Sequence, residues 1–241
     1  MELMVSFALN KGMHVISDEI YGLSTFPGEK VNSAADLMYA KHGEGGDNAN
    51  FLTDYVHVVG GLSKDWGLSG MRVGACLSHN AQVNSGITNI AYFQMVSQLT
   101  QHILTGVLGD DKFVESYVMD NQRKLHEVYQ EFHKSCESIG VPVVPSQGTL
   151  MAWADFSKYL IHFKSEKDMW LDLHNSSKIL FTTGKSCHGE KPGMFRVCYA
   201  WPTVLESDKT QAMRVLGERL RVWDAKQKEK KPKPDLLYCQ R

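Results

Sequence analysis

Lys64 and Arg72 lie eight residues apart in a glycine-rich stretch, Gly60-Gly61-Leu62-Ser63-Lys64-Asp65-Trp66-Gly67-Leu68-Ser69-Gly70-Met71-Arg72-Val73-Gly74. The preceding Tyr55 to Val59 is apolar and β-branched and reads as a short buried strand that ends in the glycines. In an open α/β sheet, ligands collect beyond the carboxyl ends of the strands, which is where Lys64 falls. A lysine near apolar groups or other cations gives up its proton readily, and the free amine attacks carbonyl carbon. The glycines let the backbone fold back, so the Arg72 guanidinium can share a ligand with that amine. An amine for a carbonyl and a guanidinium for an anion suit a phosphorylated aldehyde.

The elements that must position these groups read as alternating helix and strand. Met1 to Lys11 has helical spacing through Leu3, Met4, Phe7 and Ala8 and stops at Gly12. Met13 to Ser17 is a strand followed by Asp18 and, three residues on, Tyr21. Gly22 to Asp54 is polar and loop-rich, with Gly43 to Asn48 its most flexible part. Arg72 to Leu77 is a further strand. A stripe of Val96, Leu99, Ile103 and Val107 marks a helix, and Val83, Ile87 and Ile90 form an earlier stripe on the same helix or a broken one. The next helix begins at Asp110 and Asp111, carries Leu125, Val128, Phe132, Cys136 and Ile139, and stops at Gly140 before Pro142. Val141 to Val144 and Thr149 to Ala154 read as strands. Ser165 to Asp168 opens a helix with a capping-box pattern. Phe195 to Ala200 is a strand, Met213 to Trp223 the last helix, and the lysine- and proline-containing Ala225 to Asp235 a solvated tail.

Four stretches together carry a family resemblance: Val15-Ile16-Ser17-Asp18-Glu19-Ile20-Tyr21, Ser63 to Gly74, Ser97-Gln98-Leu99-Thr100-Gln101-His102, and Gly193-Met194-Phe195-Arg196-Val197-Cys198-Tyr199-Ala200. The second resembles the Schiff-base lysine motif of the class I/II (fold-type I) aminotransferases, which depend on pyridoxal 5′-phosphate (PLP), and is most similar to their 1-aminocyclopropane-1-carboxylate synthase-like branch. The resemblance runs from about residue 1 to about residue 223 and covers only the later part of the family's chain. It implies an α/β fold. Residues 1–110 would be part of a large cofactor-binding domain with a mostly parallel sheet. Residues 111–224 would form a connecting helix and a small α+β domain, and 225–241 a polar tail.

The resemblance also implies roles. Lys64 would form the imine with PLP and move the substrate's Cα proton. Asp18 would hold the pyridine nitrogen protonated, and Tyr21 would donate to the ring's phenolic oxygen. Arg72 would bind the phosphate with Ser63 beside it, and Arg196 would take the α-carboxylate of an amino-acid substrate. Gly61 stands where the family usually has a phosphate-binding serine. Asp18, Tyr21, Lys64, Arg72 and Arg196 are expected to converge on one cleft.

Two outcomes stay open. One is a PLP enzyme, transaminating or closing a cyclopropane ring by γ-elimination, present as an N-terminally truncated chain and binding PLP weakly without the family's earlier segments. The other is a non-catalytic fragment or split-gene half with a vestigial lysine. The family forms dimers, so a homodimer is expected for the full-length protein, through a surface around Tyr92 to His102.

Composition narrows the classes. Lys and Arg number 26 against 27 Asp and Glu, which gives no electrostatic case for nucleic acid or an anionic membrane. No apolar run approaches the ~20 residues that span a bilayer. Met1 to Asn10 is too short and too acidic at its start for a signal peptide. Five scattered cysteines without a C-x-x-C pair favour a reducing, cytoplasmic setting. Cys187-His188 lacks a partner pair, so no metal site is expected. No G-x-G-x-x-G or P-loop supports nucleotide binding.

Overall fold

A computed structural model describes residues 1–42, 54–200 and 209–230; the Gly43 to Asn48 stretch and residues 231–241 of the expected tail lie outside them. The chain divides into two compact units, Met1–Gln122 and Arg123–Arg241. Among the described residues there are seven α-helices and six strands.

In the first unit, α1 (Glu2–Asn10) leads into β1 (Val15–Asp18), and α2 (Ala34–His42) precedes β2 (Val56–Gly61) and β3 (Gly74–Leu77). The sheet order is β1-β2-β3. β1 and β2 are parallel, with Asp18 opposite Val59, and β3 returns antiparallel with Gly74 opposite Gly61. The sheet is therefore mixed, because the lysine loop is too short for the crossover that a parallel return needs. Val5, Ala34, Met38 and Val56 form the buried cluster under the sheet, with Leu9, Val15, Leu37 and Val58 against it. The α1 stripe read from the sequence differs: Val5 is the buried residue, while Leu3, Met4 and Phe7 are exposed.

The region read as loop contains α2. Its sequence is weakly amphipathic, so periodicity does not reveal it. Its N-terminus is fixed by a residue from β1's end. The Glu19 carboxylate accepts the Ala34 N–H at 2.8 Å and the Ser33 hydroxyl at 2.7 Å and so satisfies a free helix-end donor. The two apolar stripes after β3 belong to a broken helix. α3 (Ala81–Gln94) is capped by the Asn80 side chain, and α4 (Gln98–Leu108) by the Ser97 hydroxyl, which accepts the Thr100 N–H.

α5 (Asp111–Glu137) links the units. In the second unit, β4 (Met151–Asp155), α6 (Glu166–Ser177), β5 (Thr182–Thr183), β6 (Met194–Cys198) and α7 (Lys209–Lys228) follow. The sheet order is β4-β6-β5, all antiparallel. Val141 to Val144 is not a strand; it makes one isolated bridge, Val143 to Ala154. The Gly140 turn before it and Pro142 within it limit the pairing. Ser165 caps α6 as its sequence predicts, accepting the Asp168 N–H. α7 continues past Trp223 to Lys228, because Asp224 and Gln227 are buried on its inner face. The core is aromatic. Phe156 meets Phe195 with ring centroids 5.5 Å apart, and Tyr159 meets Trp223 at 4.6 Å, arrangements that add to their burial.

Candidate active site

β1 and β2 run side by side and end at one edge of the sheet. There the Glu19 N–H donates to the Val59 carbonyl at 2.8 Å, which keeps the chain beside β2 as it leaves β1. Asp18 is the last residue of β1, and its Oδ1 accepts the Ile20 N–H at 3.2 Å. Tyr21 follows in a turn closed by the Gly22 N–H on the Glu19 carbonyl. Beyond β2, the Leu62 N–H donates to the Val73 carbonyl at 3.1 Å and the Leu68 N–H to the Leu62 carbonyl at 3.0 Å. The loop bearing Ser63 and Lys64 is therefore pinned at its base. Arg72 sits where the chain re-enters the sheet toward β3. It has φ 55° and donates from its guanidinium to the Ser69 carbonyl at 2.9 Å.

Asp18, Tyr21, Ser63, Lys64 and Arg72 thus all leave the sheet at this edge. Asp18, Lys64 and Arg72 are exposed, and Tyr21 and Ser63 are half-buried. Among the described residues no side chain forms an ion pair with Asp18, Lys64 or Arg72. A carboxylate, an amine and a guanidinium that follow or precede strands at one end of the sheet and form no ion pair have hydrogen-bonding capacity left for a ligand with a cationic ring nitrogen, a carbonyl and a phosphate. The donor set fits PLP. Gly61 is part of the same geometry. A Cβ there would stand 2.8 Å from the Val73 carbonyl and 3.2 Å from Ile20 Cδ1, so this loop has no room for the serine that the family usually places there.

Arg196 belongs to the second unit. It is exposed on β6, opposite Trp153 of β4 and Thr182 of β5, and no described residue pairs with it. With Arg219, Lys178 and Phe181 it lines a cavity of about 380 Å³. Cys187 and His188 follow Gly184, whose Cβ would meet the Met194 carbonyl at 2.6 Å. Among the described residues no cluster of metal-ligating side chains is present.

The model of the family described as aminotransferase class I and II matches residues 1–211. The chain belongs to this family. A 1-aminocyclopropane-1-carboxylate synthase 1 of Oryza sativa subsp. indica is 39% identical over 204 residues, 83% of this chain and 41% of that protein. A 1-aminocyclopropane-1-carboxylate synthase 5 of Arabidopsis thaliana is 36% identical over 202 residues, 83% and 42%. This aminotransferase-family chain thus spans about four-tenths of the length of these relatives. Its fold matches that of an aromatic aminotransferase from Pyrococcus horikoshii, with TM-score 0.73 and 16% identity over 94% of this chain and 55% of that one. An α-aminoadipate aminotransferase from Thermus thermophilus, complexed with N-(5′-phosphopyridoxyl)-L-leucine, matches with TM-score 0.71 and 17% identity over 93% and 54%.

Sequence reading missed Asp65. It follows Lys64, is 6% exposed, and accepts the Ser24 hydroxyl at 2.5 Å and the Leu23 N–H at 2.9 Å. Burial pushes its carboxyl above the usual range, against the pull of these hydrogen bonds. Its partners lie more than forty positions back in the chain, so no local pattern exposes them. The available signal was an acidic residue next to the lysine in a loop rich in glycine.

Proposed function

We propose that this chain carries the lysine-bearing part of an enzyme that uses PLP to act on an amino acid. One observation carries the reading: an unpaired carboxylate, amine and guanidinium, Asp18, Lys64 and Arg72, share one edge of the β1-β2-β3 sheet. PLP, when bound, supplies an electrophilic aldehyde and a ring that stabilises negative charge at the substrate's Cα.

The residues divide the work. Lys64 would hold the aldehyde carbon through its amine; once the substrate's own amine has displaced it there, the freed Lys64 amine would take the Cα proton and return it. Asp18 keeps a proton on the ring nitrogen through a charge-assisted hydrogen bond. Tyr21 donates its hydroxyl to the ring's phenolic oxygen. Arg72 holds the phosphate, with Ser63 beside it in place of the donor that Gly61 lacks. Arg196, a guanidinium without an ion-pair partner among the described residues, would take the substrate's α-carboxylate through the two-pronged geometry that suits a carboxylate.

The relatives' names favour synthase-like chemistry, a γ-elimination that closes a three-membered ring, alongside transamination; both begin with the same Cα proton transfer at Lys64. The working form in this reading is a homodimer. Its contact surface includes Tyr92, Phe93, Met95 and Leu99, whose exposure of 76%, 85%, 69% and 71% leaves an apolar surface to be covered. The setting in this reading is the cytoplasm, where thiols stay reduced: Cys76, Cys136, Cys187 and Cys198 are free.

The test is an absorbance titration with PLP on the wild-type chain and Lys64→Ala, followed by assays with S-adenosylmethionine, methionine and aromatic amino acids. The reading expects a near-visible band that requires Lys64 and responds to an amino acid. A band identical in both proteins would sink it.

A further inference from the structure

We infer that Asp65 is a positioning residue: through Ser24 and Leu23 it clasps the lysine loop to the segment that follows Tyr21, and so fixes where the Lys64 amine stands relative to Asp18 and Tyr21. The inference rests on the PLP reading above and adds to it a residue that the resemblance does not assign.

Adjacent residues of the loop take opposite environments. Lys64 is exposed, whereas Asp65 is 6% exposed and turned inward. A carboxylate buried this far is costly unless its oxygens are occupied. Here Oδ1 accepts the Ser24 hydroxyl at 2.5 Å and Oδ2 accepts the Leu23 N–H at 2.9 Å. Both donors are neutral, and among the described residues no cation forms an ion pair with Asp65. The carboxylate therefore adds no salt bridge, and what it supplies is a fixed connection between two loops.

The clasp has a second side. The Asp65 carbonyl accepts the Tyr117 hydroxyl and the Asn121 amide of α5, both at 3.4 Å. The Gln122 amide reaches the Leu23 carbonyl at 3.1 Å and the Thr25 hydroxyl at 3.0 Å. One helix thus holds both loops, and Asp65 joins them directly. Tyr21 is two residues before Leu23, and Lys64 is one before Asp65. A shift of the clasp moves the two site residues relative to each other, and displacements of about 1 Å are enough to disturb chemistry that depends on alignment.

The experiment uses the whole chain with Asp65→Asn, Ser24→Ala and Lys64→Ala. Circular dichroism first establishes that each is folded. Amide hydrogen exchange then reads Gly67 and Leu68, whose N–H groups donate to the Lys64 and Leu62 carbonyls. The pH midpoint of the Lys64-dependent PLP band is recorded in parallel. Ser24→Ala is expected to speed exchange at these amides about tenfold or more, the loss of one charge-assisted hydrogen bond. Asp65→Asn removes a negative charge beside the lysine, and the midpoint is expected to fall by about half a unit, a threefold change in proton affinity. Ser24→Ala keeps the Asp65 charge, so a midpoint shift in that variant reports a displaced amine and not a lost charge; a residue that only stabilised the fold would leave the Ser24→Ala midpoint where it is.

Unchanged exchange, or an unmoved midpoint, in folded Ser24→Ala overturns the inference. If Asp65→Asn does not fold, Ser24→Ala decides through both readouts. If the wild type shows no Lys64-dependent band, the PLP reading fails, and the exchange data still judge the clasp.

Discussion

The Trp66 indole lies flat against the Tyr117 ring, with centroids 4.8 Å apart and planes 2° apart. This stack sits two residues from Lys64 and ties the lysine loop to α5, beside the Asp65 hydrogen bonds. Stacked aromatic pairs contribute roughly 0.5–1.5 kcal/mol beyond the area they bury. Trp66→Ala and Tyr117→Ala are each expected to lower stability by more than that once lost burial is added. In a double-mutant cycle by urea denaturation they should show a coupling of that size. Strict additivity would mean that the rings do not support one another.

Gly61 makes a second, opposite prediction. Restoring a serine at the family's usual phosphate-binding position does not restore phosphate binding here, because its Cβ would press on the Val73 carbonyl at 2.8 Å. Overpacking of this kind costs about 1–3 kcal/mol. Gly61→Ser should lower the denaturation midpoint and leave PLP affinity unimproved. A stable variant that binds PLP more tightly would show that the loop yields.

His57 ties β2 to its neighbours through side chains. It is 5% exposed, with Nε2 2.9 Å from His14 Nδ1 and Nδ1 2.8 Å from the Ser78 hydroxyl. Burial, followed by the His14 charge, lowers its pKa. A base with a depressed folded-state pKa contributes stability that is present above its unfolded value, about 6.5. That stability is lost as pH falls from there through the folded value, since the unfolded chain binds the proton first. Stability of the first unit should decline below about pH 6.5, with a slope limited to about 1.4 kcal/mol per pH unit for one proton. Denaturation midpoints across pH 5 to 8 should fall more steeply in the wild type than in His57→Gln. Parallel curves would remove His57 as the cause.

Trp223 anchors the second unit. It is fully buried, and its Nε1–H donates to Asp172 Oδ2 at 2.8 Å. Trp223→Ala is expected to cost about 3–5 kcal/mol from the cavity, with a further loss from one of the two hydrogen bonds at Asp172 Oδ2, which the Gln227 amide also reaches at 3.1 Å. Calorimetry of the wild type and Trp223→Phe, which keeps a ring and drops the N–H, separates the two contributions.

What the sequence made legible follows from the range of the interactions. The helix from Asp111 and the α6 start at Ser165 depend on neighbours three and four residues apart, and both are visible as periodicity and capping. Val15 and Val56 show as strands because both are β-branched and bounded by turns. The glycines mark the lysine loop, and the family resemblance then names Asp18, Tyr21, Lys64, Arg72 and Arg196. The rest depends on distant partners. α2 needs the Glu19 carboxylate from the end of β1. Asp65 needs Ser24, and the impossibility of a serine at 61 needs the Val73 carbonyl. Val141 to Val144 looks like a strand from its β-branched residues, but pairing is a tertiary matter, and there only Val143 bridges to Ala154.

The central claim is that Lys64 is the amine that meets PLP, and chemical trapping tests it most directly. The purified chain is incubated with PLP, reduced with borohydride, digested, and mapped by mass spectrometry. The account predicts a phosphopyridoxyl mass concentrated on the peptide that contains Lys64, and loss of the near-visible band in Lys64→Ala. Label spread evenly over the exposed lysines, with the same band in both proteins, would contradict it.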